Sequence, residues 1–382
     1  MTFSFSRRQF LVSSSLSTVA TFVPAVGSSR AVSAQELTPK VAVGLAWHNV
    51  QDWGVEGKGW DDTERYFDRL PARAKGKVRD AVWNLSRDSA GMLVRFETDA
   101  PVIHARYKLR SARLAMPHMP ATGVSGVDLY ARDEDGRDRW LAVSKPAAQQ
   151  VNAQLMEGIA PRPGGQPRLY TLYLPLYNGL ETLEIGVPEG TKFEGVAPRK
   201  EKPILFYGTS IMHGACATRT GMSISGILGR RLNRPVINLG FSGNGRLELE
   251  VGEFLSELDP AVFAIDCLPN VDAAVVQKQA EPLVRQLRQA RPDTPILLVE
   301  DRTYTNAPFR PSAQQRHATS RAALKQAYAN LQKAGVDKLF YLEGDVLLGD
   351  DGEAATDGSH PSDLGMVRYA DAYEPVLREI LG

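Results

Sequence analysis

Ser210 follows an apolar run, Pro203-Ile204-Leu205-Phe206-Tyr207-Gly208, and Asp357-Gly358-Ser359-His360 lies about 150 residues downstream. A serine hydroxyl is a poor nucleophile near neutral pH. It needs a base within hydrogen-bond reach, and the base needs a group that fixes its tautomer. Ser210, His360 and Asp357 are the residue types that fill these roles, and their joint chemistry is acyl transfer. Their context sharpens the reading. Ser210 sits where a buried strand gives way to a glycine-containing turn, His213-Gly214-Ala215. Such a junction exposes a side chain at the end of a sheet.

Two further segments follow apolar runs in the same half: Asn238-Leu239-Gly240-Phe241-Ser242-Gly243 and Asp266-Cys267-Leu268-Pro269-Asn270. Met212 at the second position after Ser210 departs from the Gly-x-Ser-x-Gly elbow of ordinary α/β-hydrolases. With Gly208-Thr209-Ser210-Ile211 and Asp357-x-x-His360, the segments instead resemble the four ordered blocks of the SGNH (GDSL-type) hydrolases. Thr209 stands where Asp is commoner, and Leu268-Pro269 replaces the usual Gly-Gly. The resemblance covers residues 200–382.

The resemblance implies Ser210 as nucleophile, His360 as base and Asp357 as its orienting carboxylate. It also implies an oxyanion hole built from the Ser210 N–H, the Gly243 N–H and the Asn270 side-chain amide. Pre-aimed donors of this kind are each worth roughly 3–4 kcal/mol of barrier. No cofactor and no metal is called for. The implied fold is α/β, a flavodoxin-like three-layer domain with a parallel sheet.

The elements agree with that fold class. Runs such as Val236-Ile237-Asn238-Leu239, Ala261-Val262-Phe263-Ala264-Ile265 and Ile296-Leu297-Leu298-Val299 read as strands buried on both faces. Helical stretches over 272–290 and 312–334 alternate with them, followed by a strand over 336–342 and a closing helix over 362–381. Ser210, Gly243 and Asn270 each come just after an expected strand, where α/β sheets place their active sites.

Upstream the pattern is different. Segments 92–98, 102–109, 126–133, 169–174 and 182–187 read as short strands between turns such as Asp135-Gly136 and Tyr177-Asn178-Gly179. In 102–109, His104, Arg106 and Lys108 fall on one face. No amphipathic helix of useful length is evident, so this half is expected to be an all-β sandwich. Through Ser125-Gly126-Val127-Asp128-Leu129-Tyr130 it resembles the jelly-roll-like domain that precedes some SGNH hydrolases. The expected division is residues 1–34, 35–198 and 199–382, with a linker over 194–202.

The first 34 residues carry Arg7, Arg8 and Arg30 and no acid. Ser6-Arg7-Arg8-Gln9-Phe10-Leu11, a weakly apolar stretch and Val32-Ser33-Ala34 read as a twin-arginine signal peptide with its cleavage site. The expectation is export by the twin-arginine machinery to the periplasm or beyond, with no stable membrane insertion after cleavage. The rest holds 42 basic against 44 acidic residues. That balance gives no reason to expect a nucleic-acid partner. Cys216 and Cys267 are the two cysteines, too few for a disulfide framework; one bridge or two buried thiols are both open.

Other residues carry alternatives. Glu300 and Arg302 end an expected strand at the catalytic edge, as substrate contacts or as a structural ion pair. His118 and Met119, in the loop Met116-Pro117-His118-Met119-Pro120, either cover the active site or pack between the halves. His213 either approaches substrate or is a polar residue at a helix start. Asp266 reads as a buried hydrogen-bonding group and Asp128 as a strand or turn residue. The histidines lack metal-site spacing.

The expected function is an exported serine esterase acting on short acyl esters, such as acetyl groups on small molecules or polysaccharides. A lipase or lysophospholipase is one alternative. A non-catalytic glycan-binding protein is another, opposed by the intact set Ser210, Gly243, Asn270, Asp357 and His360.

Overall fold

Alternating apolar residues build two antiparallel sheets from the N-terminal half. The computed structural model describes residues 44–382. The twin-arginine segment and its cleavage site lie outside the described residues. The strands are β1 (Leu45–Asn49), β2 (Leu93–Thr98), β3 (Val102–Leu109), β4 (Asp128–Arg132), β5 (Asp138–Val143), β6 (Gln150–Glu157), β7 (Arg168–Tyr173), β8 (Leu180–Pro188) and β9 (Phe193–Val196). One sheet has the order β1-β8-β3-β6 and the other β5-β4-β7-β2-β9. Ile103, Ala105 and Tyr107 of β3 and Leu183 and Ile185 of β8 share one apolar core with Val94 and Phe96 of β2 and Tyr170 and Leu172 of β7. Strand β3 thus buries every second residue, the period-two arrangement of facing sheets.

From Ile204 the strands become parallel: β10 (Ile204–Gly208), β11 (Val236–Gly240), β12 (Val262–Asp266), β13 (Ile296–Val299) and β14 (Leu339–Leu342). Their order is β11-β10-β12-β13-β14, the doubly wound arrangement expected. The helices in chain order are α1 (Asp80–Leu85), α2 (Ala121–Val124), α3 (Ser210–His213), α4 (Ile224–Arg231), α5 (Leu249–Glu257), α6 (Ala273–Ala290), α7 (Pro311–Lys333) and α8 (Asp363–Leu381). Successive strand residues face opposite layers. Leu205, Tyr207, Phe263 and Ile265 pack with Leu283 and Leu287 of α6 and Leu324 of α7. Ile204, Phe206, Val262 and Ala264 pack with Leu228 of α4 and Met366, Tyr369 and Tyr373 of α8.

Three features differ from the sequence reading. The strands β1, β5, β6 and β9 were not anticipated, nor were helices α4 and α5. Residues 60–83 are divided between two cores: Phe67 joins the β core, whereas Trp60, Leu70, Val78, Val82 and Trp83 lie in the core beside α6 and α7. The expected linker is shortened, because Glu194 to Val196 pair with β2. The remaining link is tied down by Arg199, whose backbone N–H donates to buried Glu56 Oε2 at 3.1 Å. Over the described residues the two halves form one compact unit.

Candidate active site

Ser210 opens α3 directly after β10. Thr209 precedes the helix in an extended conformation, and its hydroxyl accepts from the Ile211 N–H at 3.3 Å. This cap satisfies an otherwise orphaned donor and aims the first turn. Gly214, left-handed at φ 106°, ends the helix after one turn.

Ser210 Oγ lies 2.8 Å from His360 Nε2, and His360 Nδ1 lies 2.8 Å from Asp357 Oδ2. Asp357 Oδ1 also accepts from the backbone N–H groups of His360 (2.8 Å) and Ser359 (3.0 Å). Partial burial opposes ionisation of Asp357. The hydrogen bonds from the His360 backbone and ring outweigh it, and hold the carboxyl at about 2. It is therefore an acceptor for the Nδ1 proton, which leaves Nε2 free to take the Ser210 proton. Ser210 is 7% exposed, whereas the His360 and Asp357 side chains are 28% and 47% exposed. This Ser210–His360–Asp357 chain meets solvent along its His–Asp flank.

The turn after β11 and the turn after β12 meet beside Ser210. The Phe241 N–H donates to the Gly208 carbonyl at 2.9 Å, and a Cβ on Gly245 would stand 1.9 Å from the Gly208 oxygen. Only glycine permits that approach. Gly243 adopts φ 69°. Asn270 Nδ2 donates to the Gly245 carbonyl at 3.3 Å, so one amide hydrogen is used and one remains. Leu268, in place of glycine, is buried in the core. The Leu268 and Pro269 carbonyls are held by Arg316 Nη2 at 3.1 and 2.9 Å. The departure from the usual block is thus braced by α7.

The other candidates separate. Glu300 is not a rim residue: it is 2% exposed, and its carboxylate accepts from Tyr341 Oη and the Gly344 N–H, both at 2.8 Å. Arg302 is also 2% exposed. It does not face substrate but donates to the Ser359 carbonyl at 3.0 Å and to the Ser359 hydroxyl, clamping the turn that carries His360. Met119 is 2% exposed and packs in the core near Ile211 and Met212, because a thioether on a closed turn gains by burial. His118 is exposed, and its ring centroid lies 6.3 Å from that of His360. Asp266, fully buried, accepts from Tyr373 Oη at 2.6 Å, and burial pushes it up to about 7. Both cysteines are buried free thiols.

Arg69, Asp88 and Tyr177, which were not singled out from sequence, frame the site together with His213. Arg69 is buried and donates to the Asn238 and Gly240 carbonyls at 3.1 and 2.8 Å, binding the N-terminal half to the end of β11. His213 is fully buried, stacked on Tyr177 at 4.1 Å, with Arg69 Nη2 at 3.3 Å. Burial first, and Arg69 second, push its pKa well down, so it is a neutral packing group rather than a substrate contact. Nearby Asp88 is pushed up to about 6 by burial, against the pull of Arg69 and Arg110. No local pattern marked Arg69, Asp88 or Tyr177, since their partners lie far away in the chain. A cavity of about 560 Å³ between the β4–β5 hairpin and α4, lined by Arg132, Arg137 and Arg230 among others, holds none of the triad residues.

Residues 201–378 match the GDSL-like Lipase/Acylhydrolase family, and residues 45–193 match the model described as the N-terminus of the SGNH-hydrolase-type esterases, GxDLY. A protein described as a GDSL-like lipase from Bacteroides ovatus is 32% identical, with a TM-score of 0.83 over 88% of this chain and 98% of its own. The chain belongs to the GDSL-like lipase/acylhydrolase (SGNH) family. It is accordingly a hydrolase of carboxylic ester bonds. The fold is shared with the salicylyl-acyltransferase SsfX3 of a tetracycline biosynthetic pathway (16% identity, TM-score 0.66, 88% and 97% covered). It is also shared with the acetyl xylan esterase Est2A of Butyrivibrio proteoclasticus (11% identity, TM-score 0.54, 88% and 99% covered). No curated protein matches the sequence.

The GxDLY motif, Gly126-Val127-Asp128-Leu129-Tyr130, has a physical role in this SGNH protein. Asp128 is fully buried and accepts from Trp140 Nε1 (2.8 Å), the Gly221 N–H (2.8 Å) and Arg219 Nη1 (2.9 Å). Gly221 and Arg219 belong to the catalytic half. A residue read as a strand or turn position is a polar pin between the halves.

Proposed function

We propose that the protein is an exported serine esterase that removes short acyl groups, acetyl above all, from carbohydrate hydroxyls through Ser210, His360 and Asp357. The single observation that carries this reading is the chain of two 2.8 Å contacts from Ser210 Oγ through the His360 ring to Asp357. His360 takes the proton as Ser210 Oγ attacks the acyl carbon, then returns it to the departing alcohol oxygen. Water repeats the cycle on the acyl-enzyme. The developing oxyanion is met by the Ser210 N–H, the Gly243 N–H and the remaining Asn270 amide hydrogen.

The carbohydrate part of the reading is supported by the solvent-exposed His–Asp flank and by a fold shared with an acetyl xylan esterase. Export is supported by Arg7 and Arg8 in their Ser-Arg-Arg-Gln-Phe-Leu context. The test is hydrolysis of a p-nitrophenyl ester series and of acetylated xylan by the wild type and by S210A and H360A. Both variants should lose roughly four or more powers of ten in turnover, because triad members act as a unit. Wild-type turnover in either variant refutes the triad, and a preference for long acyl chains refutes the short-acyl assignment.

A further inference from the structure

His118 comes from the N-terminal half, yet among the described residues the ring it stacks on is His360, at 6.3 Å and an interplanar angle of 28°. It is exposed, whereas its neighbour Met119 is buried in the core beneath α3. The turn that presents it is closed by two backbone hydrogen bonds, Met116 N–H to the Met119 carbonyl (2.9 Å) and the reverse (3.1 Å). The following segment is also docked. Thr122 Oγ1 donates to the Thr218 carbonyl at 2.5 Å, and a Cβ on Gly123 would stand 2.3 Å from the Ala217 oxygen. The backbone that carries His118 is therefore held in place before any substrate arrives, which leaves only the side chain to be ordered on contact.

The position relative to the reaction follows from the proton's path. His360 Nε2 must hand its proton to the alcohol oxygen of the ester, so that oxygen sits within hydrogen-bond reach of Nε2. The acyl oxygen lies on the other side of the nucleophile, towards Gly243 and Asn270. A group on the alcohol side thus lies against the His360 ring, and His118 flanks that ring. Imidazole carries one donor and one acceptor in its neutral form, a pairing that suits a hydroxyl neighbouring the reacting oxygen.

We propose that His118 forms the alcohol subsite of the ester site and hydrogen-bonds a second hydroxyl of a polyhydroxylated alcohol such as a sugar ring. This rests on the triad reading above. The N-terminal half then supplies a specificity residue to a catalytic centre built by the other half. Methionine and proline around His118 serve to fix it, not to contact substrate.

The same subsite must receive an alcohol that competes with water for the acyl-enzyme. There the alcohol oxygen bonds to the acyl carbon, the Ser210 Oγ–acyl bond breaks, and His360 passes the alcohol's proton to Oγ. The experiment therefore uses p-nitrophenyl acetate as donor, with methyl glucoside or ethanol as acceptor, and measures acetylated products. The readout is the ratio of transfer to methyl glucoside over transfer to ethanol, taken within each variant. H118A should lower that ratio by roughly two- to tenfold, the worth of one hydrogen bond, and H118Q should restore part of it. An unchanged ratio in H118A overturns the proposal, as does a wild type that never acetylates methyl glucoside in preference to ethanol. S210A is run alongside. Acetyl transfer at the wild-type rate in S210A would instead strike the triad reading, and so separates the two failures.

Discussion

Tyr177 Oη donates to the backbone carbonyl of Ser210 at 3.3 Å, so the N-terminal half grips the peptide of the candidate nucleophile. The same ring stacks on buried His213 at the other end of α3. Burial drives the phenol's pKa upward, which keeps it a donor at any working pH. Y177F removes the hydroxyl and keeps the stack. Turnover of p-nitrophenyl acetate should fall roughly two- to tenfold with KM little changed, the span of one neutral hydrogen bond. An unaltered turnover number would mean that the bond does not position Ser210.

Asn270 is expected to act on the transition state. N270A should lower turnover by roughly two to three powers of ten while leaving KM within a small factor, since the charge it meets develops only during reaction. Steady-state kinetics on a short ester decide this. A normal turnover number would show that another donor occupies the position.

Asp128 ties the halves together from a fully buried position. D128A leaves Arg219 and the Gly221 N–H without their acceptor. Removing one partner of a buried pair should cost about 3–5 kcal/mol, read as a lower urea midpoint. A loss well under 1 kcal/mol would mean that water replaces the carboxylate and the pin contributes little.

Asp266 gives a pH signature. Burial raises its carboxyl from 3.8 to about 7, so between those values the native state holds a proton that the unfolded chain releases. Stability from this group therefore falls as pH rises through that window, by on the order of 4 kcal/mol in all. D266N mimics the protonated form and escapes the loss. Relative to wild type, it should gain stability from about pH 4 to about pH 8, measured by urea unfolding at each pH. Asp88, pushed up to about 6, contributes in the same direction and persists in the variant. A wild-type-to-variant difference that stays flat with pH would show that Asp266 ionises in the native state without cost.

What the chain itself determined is what depends on local pattern. The central strands bury one or both faces, so their apolar pattern marked β2, β3, β4, β7, β8 and the parallel strands β10 to β14 in advance. Helices α6, α7 and α8 were legible as long stretches between the apolar strand runs, and the structure makes Asp272 the N-cap of α6. Ser210, Asp357 and His360 were legible because motif spacing within each turn is short. The strands missed, β1, β5, β6 and β9, are the outer strands of the two antiparallel sheets. An edge strand buries little, so in β6 polar Gln150, Asn152 and Gln154 alternate with half-buried Val151 and Ala153, only Leu155 is buried, and the period-two signal is weak. Tertiary structure alone decided the partners of the isolated polar residues. Glu300, Arg302 and Asp128 are charged and look like surface from their own neighbourhoods, yet each is buried against groups distant in the chain. Arg69 reaches Gly240 across 171 positions, and His118 reaches His360 across a still longer span. A charge is stable in such places only when distant backbone folds around it, and no stretch of sequence records that closure.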